Sequence, residues 1–410
     1  MTDRSRRRFV TSAACGCVLG FAGAGTAHAK ATASQLTPLI PPDYEPTDQD
    51  ERGLWNLFDR FEKSLAASDL LIKNPEVQSY LLKVARGLLG DYRMDLRVYG
   101  VNDASFNASM APNGMMIVHS GLLARARNEA QLAAVLGHEC GHYLRCHSIR
   151  NWRDTRSKSA VAAFIGIGAG VVSGATGTNW FDLANAVSTS LLLSIFRFSR
   201  EMETEADTYG IKLLRETGYA PVAASEVWSQ LIEERKASAA ARQKKYKDNS
   251  VSAFSTHPPS SERMFALKAV SMEMEGRIAG LGQETRKEQY RATIAPLRLS
   301  LLEEQVKLND PGASLYLLNS IAQDGWDGVL RYSEGEVYRL RGEDGDAQRA
   351  AQAYGTAITF EDAPPEAHRA HGYALLKSGN KDYARVALER YLQLRPDAAD
   401  AAMVRFTIGQ

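Results

Sequence analysis

Apolar residues first recur with a helical period at Leu54, Leu57, Phe58, Phe61 and Leu65, and a second run carries Val77, Tyr80, Leu81, Val84 and Leu88. Spacings of three and four put each set on one helix face, so the stretch from Glu51 to about Gly90 predicts two amphipathic helices. The period then drops to two. Leu96 to Val101 alternates as a strand, residues 102–113 are rich in turn formers, and Met115-Met116-Ile117-Val118-His119 reads as the returning strand. Asn128 opens the next helix, with Gln131 three residues on as a partial capping box. That helix is predicted amphipathic and runs through Leu132, Val135 and Leu136 into residues 138–142.

Further along, Ala160 to Trp180 and Leu183 to Phe196 contain no charged residue. Their length permits a membrane span, but Gly166, Gly168, Gly170, Gly174 and Gly177 break the run, which favours a buried or substrate-facing helical hairpin over a membrane-embedded one. Residues 235–250 are rich in Lys, Ala and Gln with few apolar anchors, and read as a solvated, mobile segment. The last hundred residues change character. Counting Pro365 as the first position of a 34-residue unit puts Gly372, Ala384, Leu388, Tyr391 and Pro396 where a tetratricopeptide repeat wants them. Gly335, Ala350, Tyr354 and Ala357 echo the pattern one unit back, with three residues inserted in the turn at Gly342-Glu343-Asp344-Gly345. A generic helical tail is the alternative.

With 410 residues, a net charge of +1, 44% hydrophobic and 24% charged residues, the chain is long enough for two or three ordinary globular domains. Near-neutrality excludes the electrostatic footprint of a nucleic-acid binder. Gly 32, Pro 14 and Cys 4 exclude collagen, low-complexity disorder and disulfide-dense scaffolds. Ser5-Arg6-Arg7-Arg8-Phe9-Val10, an apolar stretch to about Ala24 and Ala27-His28-Ala29 resemble a twin-arginine export signal cut after Ala29. Only Cys140 and Cys146 follow it. Six residues apart on one helix they would be about 9 Å apart along its axis, beyond the roughly 7 Å a disulfide spans. The expectation is an exported protein without a disulfide.

The chemistry concentrates at His138-Glu139-Cys140-Gly141-His142. On a helix, residues four apart share a face, so both imidazoles reach one Zn²⁺ while Glu139, one position round, meets the metal's open site. Cys140 points off that face into the core, and Gly141 lets another backbone come close behind it. A catalytic zinc keeps three protein ligands, and Glu201, Glu203 and Glu205 are the candidates for the third. Arg197, Glu201, Glu205 and Lys212 line one side of their helix as a solvated, charge-paired face. Ser199, Glu203, Ala206, Asp207, Gly210 and Leu214 line the other, where small residues permit close packing. That nominates Glu203 as ligand and Asp207, one turn on, as the acceptor that fixes an imidazole tautomer. His147 reads as a supporting or purely structural histidine.

His138-Glu139-x-x-His142, then Glu203-x-x-x-Asp207, then Thr256-His257-Pro258 with Arg263 resembles the zinc metallopeptidases of family M48 over roughly residues 50–270. Asn107-Ala108 to Gly114 and Gly121-Leu122-Leu123 are similar as well. The resemblance implies a mainly α fold with a small β-sheet, a gluzincin-type zinc metallopeptidase domain followed by a tetratricopeptide-like helical repeat region. The implied boundaries are a signal over 1–29, the peptidase over 30–275, a helical linker over 276–310 and repeats over 311–410. It further implies one Zn²⁺ on His138, His142 and Glu203, with Glu139 as general base, Asp207 in support, and His257 as a gating fourth ligand or an oxyanion donor. An ordinary loop histidine is the alternative for His257.

With the export signal and the repeats, the resemblance points to the periplasmic branch typified by the beta-barrel-assembly-enhancing protease. Its implied substrates are misfolded or stalled envelope proteins, and its implied partner is outer-membrane assembly machinery bound through the repeats. A chaperone-like assembly factor with a gated site and a membrane-embedded protease are the rival functions. Substrate is expected to lie extended along an exposed edge of the strand Met115 to His119, just before the zinc helix.

Overall fold

The computed structural model describes residues 38–42, 44–90, 92, 96–157, 198–248, 261–275 and 283–409. The export signal, the uncharged stretch 160–196, His257 and positions 249–250 of the polar segment lie outside them. Two capped helices come first. In α1, Gln49–Ala66, the Asp48 side chain accepts from Glu51 N at 2.8 Å, and Leu54, Phe58 and Leu65 are buried. In α2, Pro75–Leu89, Asn74 caps Val77 N at 3.1 Å and all five predicted apolar positions are buried.

Three strands follow: β1, Arg97–Val101; β2, Ala108–Met110; and β3, Met115–His119. Their order is β1-β3-β2. β1 runs parallel to β3, with Arg97 beside Met115 and Val101 beside His119. β2, formed from the stretch that reads as turns, pairs antiparallel to β3 with Ala108 opposite Val118. This corrects two expectations. β3 does not return as a hairpin partner of β1, and it has no open edge for substrate because it is paired on both sides. The sheet is covered on both faces, as alternation demands. Met116 and Val118 enter the main core with α2, while Met115 and Val101 pack with Leu54 and Phe58 of α1.

After α3, Ser120–Arg125, comes α4, Glu129–Leu144, in which every residue is buried. Asn128 Oδ1 accepts from Gln131 N at 2.9 Å, and Gln131 Oε1 accepts from Arg127 N at 3.0 Å, a capping box displaced by one residue. The helix is not amphipathic in place: it is the centre of the domain, and its polar residues are neutralised by partners. Glu129, for instance, accepts from the hydroxyls of Tyr80 at 2.7 Å and Tyr219 at 2.6 Å and from Arg286 at 3.0 Å.

α5, His147–Ser157, precedes α6, Arg200–Glu216, which crosses α4 at very short range. A Cβ on Gly210 would lie 3.0 Å from His138 N, and one on Gly141 would lie 2.9 Å from Ala206 O. Both contacts are with backbone, which cannot swing aside. α7, Ala223–Ala241, and α8, Ser261–Glu275, close the layer around α4. Residues 235–241 correct the reading of a solvated segment. They continue α7 and pack on α11, Pro311–Ile321, where a Cβ on Gly312 would lie 2.4 Å from Ala237 O.

The rest is helical: α9, Lys287–Ile294; α10, Arg298–Lys307; α12, Gly328–Arg341; α13, Asp346–Ala357; α14, Pro365–Lys377; α15, Lys381–Leu394; and α16, Ala401–Thr407. In the stretch that reads as a linker, Tyr290, Ile294 and Leu301 join the main core. α12 packs on α13 where Gly335 faces the Tyr354 ring, and α14 packs on α15 where Gly372 faces Leu388. Among the described residues no helix is long and apolar enough to cross a membrane.

The crossing of α4 and α6 makes a paired prediction. Gly210→Ala should destabilise the fold by about 1–3 kcal/mol, because the added methyl overpacks a backbone contact. Gly137→Ala, whose Cβ would sit at an ordinary 3.4 Å from Gly210 O, should stay within about 1 kcal/mol, helped by the better helix propensity of Ala. Urea denaturation of both variants checks this, and equal losses would show that the crossing is not tight.

Candidate active site

α4 presents His138 and His142 on one face, and the close crossing brings Glu203, from the first turn of α6, over both. His142 Nε2 lies 3.0 Å from His138 Nε2, Glu203 Oε2 lies 3.5 Å from His138 Nε2, and Glu203 Oε1 lies 3.6 Å from His142 Nε2. Donors 2.0–2.1 Å from a tetrahedral zinc are about 3.3 Å from one another, so this triangle has the size the ion requires. Among the described residues, these three form the grouping of His, Cys, Asp or Glu able to hold a metal. Glu139 is 2% exposed and lines a cavity together with His138.

The second nitrogens of the imidazoles decide where their lone pairs point. His138 Nδ1 lies 2.9 Å from Asp207 Oδ1. Asp207 is ionised: although burial opposes it, the charge of Arg263 and the hydrogen bond from His138 hold its carboxyl below the usual range. An ionised carboxylate accepts only, so Nδ1 donates to Asp207, and Nε2 is the nitrogen turned toward His142 and Glu203. Arg263 grips Asp207 through two bonds of 2.7 Å, reaches Glu203 Oε2 at 2.9 Å, and lies over the Trp228 ring at 4.2 Å. α8 is thereby tied to the site.

On the other imidazole, His142 Nδ1 lies 2.7 Å from His147 Nδ1, and His147 Nε2 lies 2.8 Å from Glu205 Oε2. Burial pushes the His147 pKa down to about 4 against the upward pull of Glu205, so the ring is neutral with one donor and one acceptor. Glu205 can only accept, so His147 Nε2 donates to it, His147 Nδ1 accepts from His142 Nδ1, and His142 Nε2 keeps its lone pair. Arg145 holds Glu205 in turn through Nε at 2.7 Å. Phe198 stacks on the His142 ring with centroids 3.9 Å apart.

The donor set and its spacing suit a dipositive metal with a carboxylate beside it. A sequence model of peptidase family M48 matches residues 71–271. Residues 71–271 form a peptidase family M48 domain. Mitochondrial metalloendopeptidase OMA1 of Schizosaccharomyces pombe is 32% identical over 145 residues, 35% of this chain and 39% of that protein. OMA1 of Saccharomyces cerevisiae is 28% identical over 203 residues, 49% of this chain and 54% of that protein. The beta-barrel assembly-enhancing protease of Escherichia coli K12 is 24% identical over 180 residues, 43% of this chain and 37% of that protein. The chain thus spans about half or less of the length of these relatives.

Of the predicted site residues, the M48 domain brings His138, His142, Glu203, Glu139 and Asp207 together, and His257 lies outside the described residues. Glu205 is the correction. It reads as part of a solvated face but turns toward α5, half-buried against His147, Arg145 and Arg150. α4 ends at Leu144, two residues after His142, so the turn at Cys146, with φ +54°, folds His147 back beneath the ligand helix. A lone His five positions after the motif was the available signal for this pairing. Cys140 packs in the main core, where burial raises its thiol pKa, and Cys146 lies in the turn rather than on the helix.

Glu205→Ala should therefore cost about 1–3 kcal/mol, because it leaves His147 and Arg145 without their acceptor. Glu201→Ala, on the exposed side of the same helix, should stay within about 0.5 kcal/mol. Chemical denaturation monitored by circular dichroism measures both, and a neutral Glu205 variant would return that residue to the solvated face.

Proposed function

We propose that the M48 domain is a zinc-dependent endopeptidase, with His138, His142 and Glu203 as the metal ligands and Glu139 as general base. The observation that carries this reading is the donor triangle with edges of 3.0, 3.5 and 3.6 Å, formed by both imidazole Nε2 atoms and the Glu203 carboxylate. Zinc bound there would polarise a peptide carbonyl and lower the pKa of a water molecule. Glu139 takes a proton from the attacking water and returns it to the leaving amine. Asp207, and Glu205 through His147, keep the two imidazoles in the tautomers that binding needs. Arg263 offsets the charge that Asp207 and Glu203 concentrate in a buried place. His257 acts from outside the described residues, as a gate on the metal or a donor to the oxyanion.

The physiological role we infer is quality control of misfolded or stalled envelope proteins after twin-arginine export. Three features support it: the leader motif at Arg6-Arg7, the relatives named for beta-barrel assembly, and the paired helices of the C-terminal region. In that region Gly335 against Tyr354 and Gly372 against Leu388 repeat one small-against-large contact in successive hairpins, which supports the tetratricopeptide-like reading and a partner such as outer-membrane assembly machinery.

One Zn²⁺ per chain is expected. His138→Ala and Glu203→Ala should lose it, while Glu139→Gln should retain metal and lose casein hydrolysis. Elemental analysis alongside a casein assay checks all three, and full zinc in Glu203→Ala would remove that residue from the ligand set.

For His257, the two roles predict opposite signs. As a gate, its replacement by Ala should raise casein cleavage or autolysis, and as an oxyanion donor the same change should lower turnover roughly 10²-fold. Unchanged turnover would leave an ordinary loop histidine.

A further inference from the structure

α8 is apolar on two sides, and among the described residues only one of them is covered. Arg263, Leu267 and Ser271, four apart, form the inner side. Arg263 holds Asp207, Leu267 is buried in the main core, and the Ser271 hydroxyl donates to Pro221 O at 2.9 Å. Phe265, Lys268 and Met272 form the outer side, continuing the line of Ser261 at spacings that return to one helix face. Phe265 is 63% exposed and Met272 61%, and Ala266 and Ala269 beside them are exposed as well. A helix that is apolar all round wants an apolar surrounding on every side, and α8 has it on one.

A run of cations meets the foot of this outer side. α7 ends in a turn at Gln243, with φ +54°, where Lys244 N donates to Ala239 O at 2.8 Å. The chain then runs Lys244-Lys245-Tyr246-Lys247-Asp248 and is tied to α8 by its last residue. Asp248 accepts from the Tyr246 hydroxyl at 3.0 Å, from Ser261 N at 3.1 Å and from Ser261 Oγ at 3.0 Å. Arg242 is paired with Asp310, and Lys236 with Glu233. Lys244, Lys245, Lys247 and Lys268 are exposed and have no acidic partner among the described residues, with Glu262 and Glu273 one position round from the outer side of α8. A cation just past a helix end complements the helix dipole, which accounts for Lys244. That effect fades within a turn, so it accounts for neither Lys247 nor Lys268.

We propose that the outer side of α8 and residues 244–247 together form a docking surface for a lipid bilayer with anionic headgroups. Such a surface uses both halves of the patch: headgroup charge attracts the ammonium groups, and Phe265 and Met272 enter the boundary of the acyl chains. Lysine stems suit the same place, since they lie along hydrocarbon while their heads stay among the headgroups. An acidic protein would engage the lysines and leave Phe265 wet, and an apolar partner would leave the lysines unpaired. Docking of this kind inserts side chains rather than a helix, so it is peripheral and reversible. Arg263 and Leu267 lie on the opposite side of α8, which places the candidate metal site about one helix diameter, roughly 10 Å, from the headgroups. A chain segment at the bilayer surface would meet the site there. The proposal goes beyond the peptidase reading and does not depend on it.

The test is co-sedimentation of the full chain with vesicles of about one-third phosphatidylglycerol in phosphatidylcholine, against phosphatidylcholine alone. Wild type should bind the anionic vesicles at least about 10-fold more tightly, and less so as salt is added. Replacing Lys244, Lys245 and Lys247 together by Glu should weaken binding about 100-fold, at roughly 5-fold per lysine. Phe265→Ser should weaken it about 10-fold through the loss of one inserted aromatic ring. Lys381→Glu, on α15, should change nothing. Melting temperature identifies any variant that fails to fold.

A second readout is local and needs no variant. Lysine acetylation mapped by mass spectrometry should find Lys244, Lys245, Lys247 and Lys268 protected by the anionic vesicles about 5-fold or more relative to Lys381. Absence of binding to anionic vesicles overturns the proposal. Binding that the folded lysine and Phe265 variants retain in full, or that leaves the four lysines as reactive as before, overturns it as well. A concentration-dependent dimer that Phe265→Ser dissolves, without vesicle binding, overturns it by giving the face to a second copy of the chain. Zinc content and casein cleavage enter none of these measurements, so the peptidase reading stands or falls separately.

Discussion

The site exists because two helix backbones nearly touch. A glutamate side chain is short, and Glu203 reaches both imidazoles only if α6 passes α4 at a separation that leaves no room for a methyl group at Gly141 or Gly210. Gly137, Gly141, Ala206 and Gly210 supply that separation, with Gly210 backbone against Gly137 and His138 backbone and Gly141 against Ala206. Glycine inside a helix costs about 1 kcal/mol relative to alanine, and α4 carries two of them within five residues. The complete burial of that helix offsets the cost, since tertiary packing contributes far more to a helix than propensity does. The fold around α4 can therefore be understood as the housing that keeps a glycine-weakened helix straight and buried.

Once the donors are close, their protons must be right. Three donors that point lone pairs at one another repel, and two imidazole nitrogens 3.0 Å apart tolerate that only if each ring is pinned from behind. The domain does this twice with different parts. His138 is pinned directly by Asp207 from α6. His142 is pinned through His147, whose other nitrogen meets Glu205, also from α6. Glu203, Glu205 and Asp207 alternate along one helix turn, so a single element supplies one candidate ligand and both tautomer anchors. Burying that much negative charge is costly unless it is paired. Arg263 and Arg145 provide the pairing, and in doing so they bind α8 and the end of α4 to the same helix.

Local pattern made the candidate ligands and most helices readable. His138 and His142 four apart, Asn128 before Gln131, and the run Val77 to Leu88 each express a rule that acts within one element. What pattern could not convey was partnership between elements. Residues 108–110 are too short to alternate visibly, and they become a strand only because β3 offers them a ladder. The same pairing takes the open edge away from β3. Glu205 obeys the i,i+4 charge spacing of a solvated face, yet its real neighbours come from the turn at Cys146, which no helical wheel contains. Likewise the small-residue face of residues 235–241, with Ala237, Ser238 and Ala241, meets α11, seventy residues later in the chain, where Gly312 and Asp310 fit against it.

That last contact joins the site to the C-terminal helices. α7 has 19 residues, a rod of about 28 Å. Its first turns carry Ala224, Val227 and Trp228 into the cavity beside His138. Its last turns carry Glu234, which Arg125 grips together with Gln305 of α10, and Ala237 and Ala241, on which α11 rests. Asp310 fastens the same end, accepting from Ser238 at 2.6 Å and Arg242 at 2.8 Å while capping α11 at Ala313 N. A helix that is a wall of the cavity at one end and the seat of the C-terminal layers at the other cannot shift at one without shifting at the other. The geometry of the cavity is consequently set by residues far beyond the M48 domain, and the C-terminal helices are part of what holds Trp228 against Arg263.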